Sequence, residues 1–221
     1  MQIKGGTQMG TLSVNKVAGY SLMIGPVIAL VMFFLQPGGL IIDPGDADDT
    51  AAQAAALVAN RGIAIIVSML IPLGLIAVFS GSMHWVQSME GGSGHAIARL
   101  GLPMIFVAII CWTISLGIAS STAMGFTNAA FVGTFLGINV VSGPLFGIGN
   151  LLIALGASTR DEYNTIFAYI AALAGLVAGL VSLLAGFDDG FINMGTAVSG
   201  LCFIIISAFY IYVGRSFATA D

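Results

Sequence analysis

Few residues in this sequence could do chemistry. The only histidines are His84 and His95, with Glu90 between them. A metal site or an acid–base pair needs ligands held at fixed spacing, such as two histidines four apart on one helical face. These two stand eleven residues apart across the glycine-rich turn Gly91-Gly92-Ser93-Gly94. The pattern therefore points to a solvated interfacial loop over 81–98. Trp85 is expected there at headgroup depth, where amphipathic aromatics prefer to sit. Carboxylates gather in two stretches, Asp43-Pro44-Gly45-Asp46-Ala47-Asp48-Asp49 and Phe187-Asp188-Asp189-Gly190. Asp46, Asp48, Asp188 and Asp189 could offer hard oxygen ligands to a divalent cation. Their spacing departs from the calcium loop Asp-x-Asp-x-Asp-Gly, so a solvated acidic surface is expected and no metal is assigned. Ser120-Ser121-Thr122 has no base within sequence reach, and a Gly-x-Ser-x-Gly nucleophile motif is absent.

Amides are the remaining candidates. Asn128, Asn139 and Asn150 follow one another at eleven-residue intervals, close to three helical turns. On a continuous helix all three share a face, with Ser142 and a Gly143-Pro144 break near its middle, where a carbonyl freed around Val140 adds an acceptor. Amides in hydrocarbon need partners, so the stripe either bonds to neighbouring helices or lines a polar cavity. Asn128, Asn139, Ser142 and Asn150 are thus the residues at which a ligand is first sought.

The surroundings of these residues are membrane. Hydrophobic residues make up 58% of the chain and charged residues only 7%. Soluble domains carry about 25% charged residues. Six apolar segments, about 17–35, 62–79, 100–124, 129–155, 165–185 and 194–213, are long enough to cross a bilayer as helices. The expected fold is an all-α, polytopic bundle of six transmembrane helices forming one domain over 17–213, with tails at 1–16 and 214–221. The first segment follows a basic stretch, as in a secretory signal. Its length and the lack of a small-x-small site at Gln36-Pro37-Gly38-Gly39 mark it instead as a span. Between the first two spans, 37–60 holds the acidic loop and a short Ala-rich surface helix that Asp49 or Thr50 can cap.

No Asp, Glu, Lys, Arg or His falls inside the six segments. Such residues mark ion paths, proton relays and haem or retinal sites. Their absence weighs against a proton-coupled transporter, a voltage sensor and a ligated cofactor, and leaves open a carrier of neutral or apolar solutes. Cys111 and Cys202 both lie in spans and read as small hydrophobes. Lys4, Lys16, Arg99, Arg160 and Arg215 fall on the side of the termini and Arg61 alone on the other. That asymmetry puts both termini in the cytoplasm of a cell whose plasma membrane holds the protein. The net charge of −4, with basic residues scattered singly, excludes a nucleic-acid footprint.

Gly25-Pro26, Pro72 and Gly143-Pro144 are candidate kinks. In the fifth span Ala168, Ala172, Gly175, Gly179, Ser182 and Gly186 recur at helical spacing, a stripe that lets another helix approach closely, first of all one of the same chain. Gly133 with Gly137, and Gly143 with Gly147, repeat the pattern in the fourth.

Val17-Ala18-Gly19 at the first span, the acidic loop leading into Asp49-Thr50-Ala51-Ala52, and Leu57-Val58-Ala59-Asn60-Arg61 give the chain a resemblance. In these stretches and in its six spans it resembles a bacterial membrane family, domain of unknown function 4386. That resemblance implies the six-helix fold in a prokaryotic membrane and no site residue. Three functions follow as expectations. The first is a non-enzymatic accessory or assembly subunit of a larger membrane complex, joined to other subunits through the fifth-span stripe. The second is a carrier or binder of a small neutral or lipidic molecule, and the third an intramembrane enzyme using His84, Glu90 and His95.

Overall fold

The computed structural model describes residues 13–44, 49–188 and 190–219. Asp46, Asp48 and Asp189, three of the four candidate metal ligands, lie outside the described residues.

The described residues form seven helices: α1 (Val14–Phe34), α2 (Thr50–Ala59), α3 (Arg61–Ser88), α4 (His95–Ala123), α5 (Ala129–Ser158), α6 (Thr165–Leu184) and α7 (Gly190–Ala218). All but α2 are long and apolar enough to span a membrane, so the protein is a multi-pass, all-α membrane bundle. Side-chain oxygens start several of them by accepting from orphan backbone N–H groups. Asp49 accepts from the amides of Ala51 and Ala52, Asn128 from that of Ala130 and Asn164 from that of Phe167. Gly125, at φ +81°, ends α4, with the Phe126 amide bonded back to the Ser121 carbonyl. Each proline inside a helix, Pro26, Pro72, Pro103 and Pro144, is accommodated without ending it.

The connection expected over 81–98 is shorter. Helix α3 continues to Ser88 and α4 begins at His95. Val78, Ser82, Trp85, Val86 and Met89 carry the buried face on at helical spacing, while Gln87 and Ser88 face outward. Trp85 is consequently not at headgroup depth. It is fully buried, edge-on to Tyr163, Phe209 and Tyr210 at centroid distances of 5.8, 5.7 and 6.0 Å.

The six long helices close into a ring. In order, α1 packs on α3, α3 on α4, α4 on α5, α5 on α6, α6 on α7, and α7 returns to α1. Helix α2 lies across one end against α3, α4 and α5. Glycines set the spacing at four of the six contacts. A Cβ on Gly25 would stand 2.7 Å from the Gly74 carbonyl oxygen, and one on Gly74 2.7 Å from that of Gly25. Gly19 and Gly214 are related in the same way between α1 and α7, Gly101 and Gly149 between α4 and α5, and Gly147 and Gly175 between α5 and α6. Such reciprocal backbone approach replaces the hydrophobic drive that is missing between helices in lipid.

The fifth-span stripe is therefore used within the chain. Ala168 and Ala172 are buried, Gly175 and Gly179 meet Gly147, and Ser182 meets Gly143. Gly133 and Gly137, by contrast, would have nothing within 4 Å of an added methyl and pack on no neighbour among the described residues.

Gly147→Val should therefore lower the thermal unfolding temperature in mild detergent, by the equivalent of about 1–3 kcal/mol of overpacking. Gly137→Ala should leave it unchanged or raise it, since alanine is the better helix former by about 1 kcal/mol. Equal responses of the two variants would contradict the assigned interface.

Candidate ligand cavity inside the helix ring

A ring of six helices is wider than its side chains fill. At its centre is a cavity of about 280 Å³, bounded by all six long helices, by the turn at 36–40 and by Gln53 of α2.

One end is sealed by a polar contact inside an aromatic cluster. The Tyr210 hydroxyl donates to Asn150 Oδ1 at 2.8 Å, and Asn150 Nδ2 donates to the Phe146 carbonyl at 2.8 Å. Tyr210 forms the innermost lining of the cavity, and Trp85 packs behind it. The other end is covered by the chain leaving α1. Pro37 is fully buried, Gly38 turns the backbone at φ +79°, and its amide bonds to the Ile42 carbonyl at 2.9 Å. Gln53 Nε2 holds this turn by donating to the Gly38 carbonyl at 2.8 Å. Asp49, by capping α2, is the residue that puts Gln53 there.

Aromatic rings meet across the interior between these ends. Trp112 of α4 lies 4.8 Å from Phe146 of α5 and 6.1 Å from Phe203 of α7, and Phe203 lies 5.7 Å from Phe33 of α1. Ala29, Leu30, Ile71, Leu75 and Val78 make the α1–α3 wall wholly apolar.

Polar groups concentrate on the facing α5–α6–α7 wall. Buried hydroxyls elsewhere in the protein satisfy themselves on carbonyls: Ser82 on Val78, Thr122 on Ile118, Ser142 on Ile138 and Ser158 on Leu155, and Ser115 reaches across to Phe135. Ser199 and Ser207 are buried too, though a little less deeply, and both line the cavity; neither hydroxyl has a hydrogen-bond partner among the described residues. The partly buried Ser182 is in the same position. Asn139 Oδ1 shares the Ser115 hydroxyl proton, at 3.1 Å, with the Phe135 carbonyl, and its Nδ2 has no partner among the described residues where the residue lines the cavity.

The expected asparagine stripe is divided among three roles. Asn128 precedes α5 in extended backbone and is its exposed cap, so it is no part of a face on that helix. Asn150 belongs to the inner seal, Ser142 is closed on its own backbone, and Asn139 alone lines the cavity. Asp188 accepts from the Gly190 amide at the start of α7. No group of three metal-competent side chains occurs among the described residues. His84 sits on α3, bonded to Asn15 Oδ1 at 2.8 Å and against Phe217, whereas Glu90 is exposed on the following turn and His95 opens α4. Outside the membrane-spanning segments, the Arg160 guanidinium grips Glu162 through two nitrogens and holds its carboxyl below the ordinary range, an exposed surface pair of little energetic weight.

Gln53, Ser199, Ser207 and Tyr210 carry no sequence signal. A lone serine or tyrosine in an apolar segment reads as packing, and Asn150 and Tyr210 meet across sixty residues of chain. Compared with models of protein families, with curated proteins and with solved structures, the chain matches none.

Proposed function

We propose that this protein binds a small neutral or lipid-like molecule in the centre of its helix ring, as a carrier or a membrane-embedded binding protein. The observation that carries the reading is the pair of serines, Ser199 and Ser207, whose hydroxyls line an apolar cavity without a partner among the described residues. The chain closes its other buried hydroxyls on carbonyls, whereas these two oxygens open onto the cavity and are free to bond to a molecule held there. The accessory-subunit reading rests on the α6 stripe, which α5 already occupies. The enzymatic reading lacks a constellation, because His84, Glu90 and His95 have separate surroundings.

Purified gently and extracted with organic solvent, the wild type should release a neutral apolar compound close to one per chain by mass spectrometry. Ser199→Phe, which puts a ring into the cavity, should release much less. Equal or negligible amounts from both proteins would count against the cavity as a binding site.

Within this reading the protein resides in a prokaryotic plasma membrane, with the face that carries Lys16, Arg99, Arg160 and Arg215 in the cytoplasm. A C-terminal tag should label only after cells are permeabilised; labelling of intact cells would reverse the orientation.

A further inference from the structure

The shape and chemistry of the cavity specify its occupant more narrowly. Along α7 the lining runs from Ile192 to Tyr210. At the helical rise that stretch gives roughly 27 Å of depth. A volume of about 280 Å³ distributed over that depth is a tube that admits one hydrocarbon chain and not two. Its polar groups are not spread evenly. Asn139 lies eleven residues outward from Asn150 on α5, and Ser199 eleven outward from Tyr210 on α7. Asn150 and Tyr210 touch. The two uncommitted groups therefore sit at one depth, roughly 16 Å from the inner seal. Ser182 stands between their helices on α6, against Gly143 one turn inward of Asn139. Three consecutive members of the ring thus present an amide and two hydroxyls in the outer half of the cavity, roughly 10 Å inward of Ile192. Inward from there the tube is apolar as far as Ser207 and Tyr210. Among the described residues none of its lining side chains is Asp, Glu, Lys, Arg or His, so a charged head group would be desolvated there without a counter-ion.

Resting on the binding reading above, we propose that the ligand is a single-chain amphiphile with an uncharged hydrogen-bonding head, such as a long-chain alcohol, ketone or monoester. Its head bonds to Asn139, Ser182 and Ser199, and its tail runs inward along the α1–α3 wall toward Tyr210. Selection falls on the head and on the width of the tube. A chain arriving from lipid gains nothing from the hydrophobic effect, because the bilayer it leaves is as apolar as the cavity.

The test uses the full chain in lipid nanodiscs and its tryptophan fluorescence, since Trp112 lines the tube and Trp85 adjoins its inner seal. A long-chain alcohol brominated near its tail should quench saturably with its mole fraction. The sulfonate of the same chain should bind at least about tenfold more weakly, and brominated two-chain phosphatidylcholine should quench without saturating. Ser199→Ala, which removes no bond within the protein, should weaken the alcohol about fivefold, the equivalent of one hydrogen bond. If the sulfonate binds as well as the alcohol, the uncharged head is wrong, and if the two-chain lipid saturates, the single chain is wrong; in both cases the cavity remains a binding site. If no probe saturates, the cavity reading itself fails along with this one.

Discussion

Helices in lipid are not pressed together by the hydrophobic effect, so whatever holds them must act at contact range. Here that contact is glycine on glycine. Four of the six neighbouring pairs in the ring place a glycine carbonyl against the facing glycine, at Gly25–Gly74, Gly19–Gly214, Gly101–Gly149 and Gly147–Gly175. At each, a methyl group would collide with backbone, which cannot yield as a flexible side chain can. These contacts lie around the circumference, and that geometry has a consequence for the centre. Helices drawn tightly to their ring neighbours cannot also collapse onto the helices opposite. The interior must then be filled by long side chains or stay open. Trp112, Phe146 and Phe203 narrow it at one level and Trp85 with Tyr210 close it at another, and small residues such as Ala29, Gly143, Gly195 and Ser199 leave it wider elsewhere.

Polar groups obey the same constraint. With no charged side chain inside the six apolar segments, a buried hydroxyl or amide has only neutral partners to turn to, and the nearest is a carbonyl of its own helix. Ser82, Thr122, Ser142 and Ser158 take it. Asn150 and Tyr210 instead take each other and seal the inner end of the ring. Against that background the open groups of Asn139, Ser182, Ser199 and Ser207 stand out as a set with a common location. Cover and floor follow from residues far apart in the chain. Asp49 starts α2, α2 delivers Gln53, and Gln53 fixes the turn above the cavity.

The membrane class and all six spans are legible in the sequence, because the hydropathy of twenty consecutive residues is a local property. The end of α3 is not, for the same reason. His84, Gln87 and Ser88 lower the local hydropathy, while the buried face carried by Trp85, Val86 and Met89 is defined only by what packs on it. Eleven-residue spacing draws attention to Asn139 and Asn150. It cannot tell a helix cap from a member of a stripe, so it groups Asn128 with them. Small-residue periodicity reveals that a helix can be approached closely without revealing by what. Gly175 and Gly179 have a neighbour in α5, and Gly133 and Gly137 have open space, from similar patterns. The cavity itself is a property of ring closure, to which α1 and α7 contribute from opposite ends of the sequence.

A filled ring centre is the claim on which the functional reading stands. Crystals of the full-length protein grown from a lipidic phase test it most directly, through the density inside the ring. The single-chain site predicts one continuous, elongated feature running inward to Tyr210, with its outer end within hydrogen-bonding distance of Asn139 and Ser199. A centre closed by inward movement of the helices, with Ser199 and Ser207 bonded back to their own carbonyls, would contradict it.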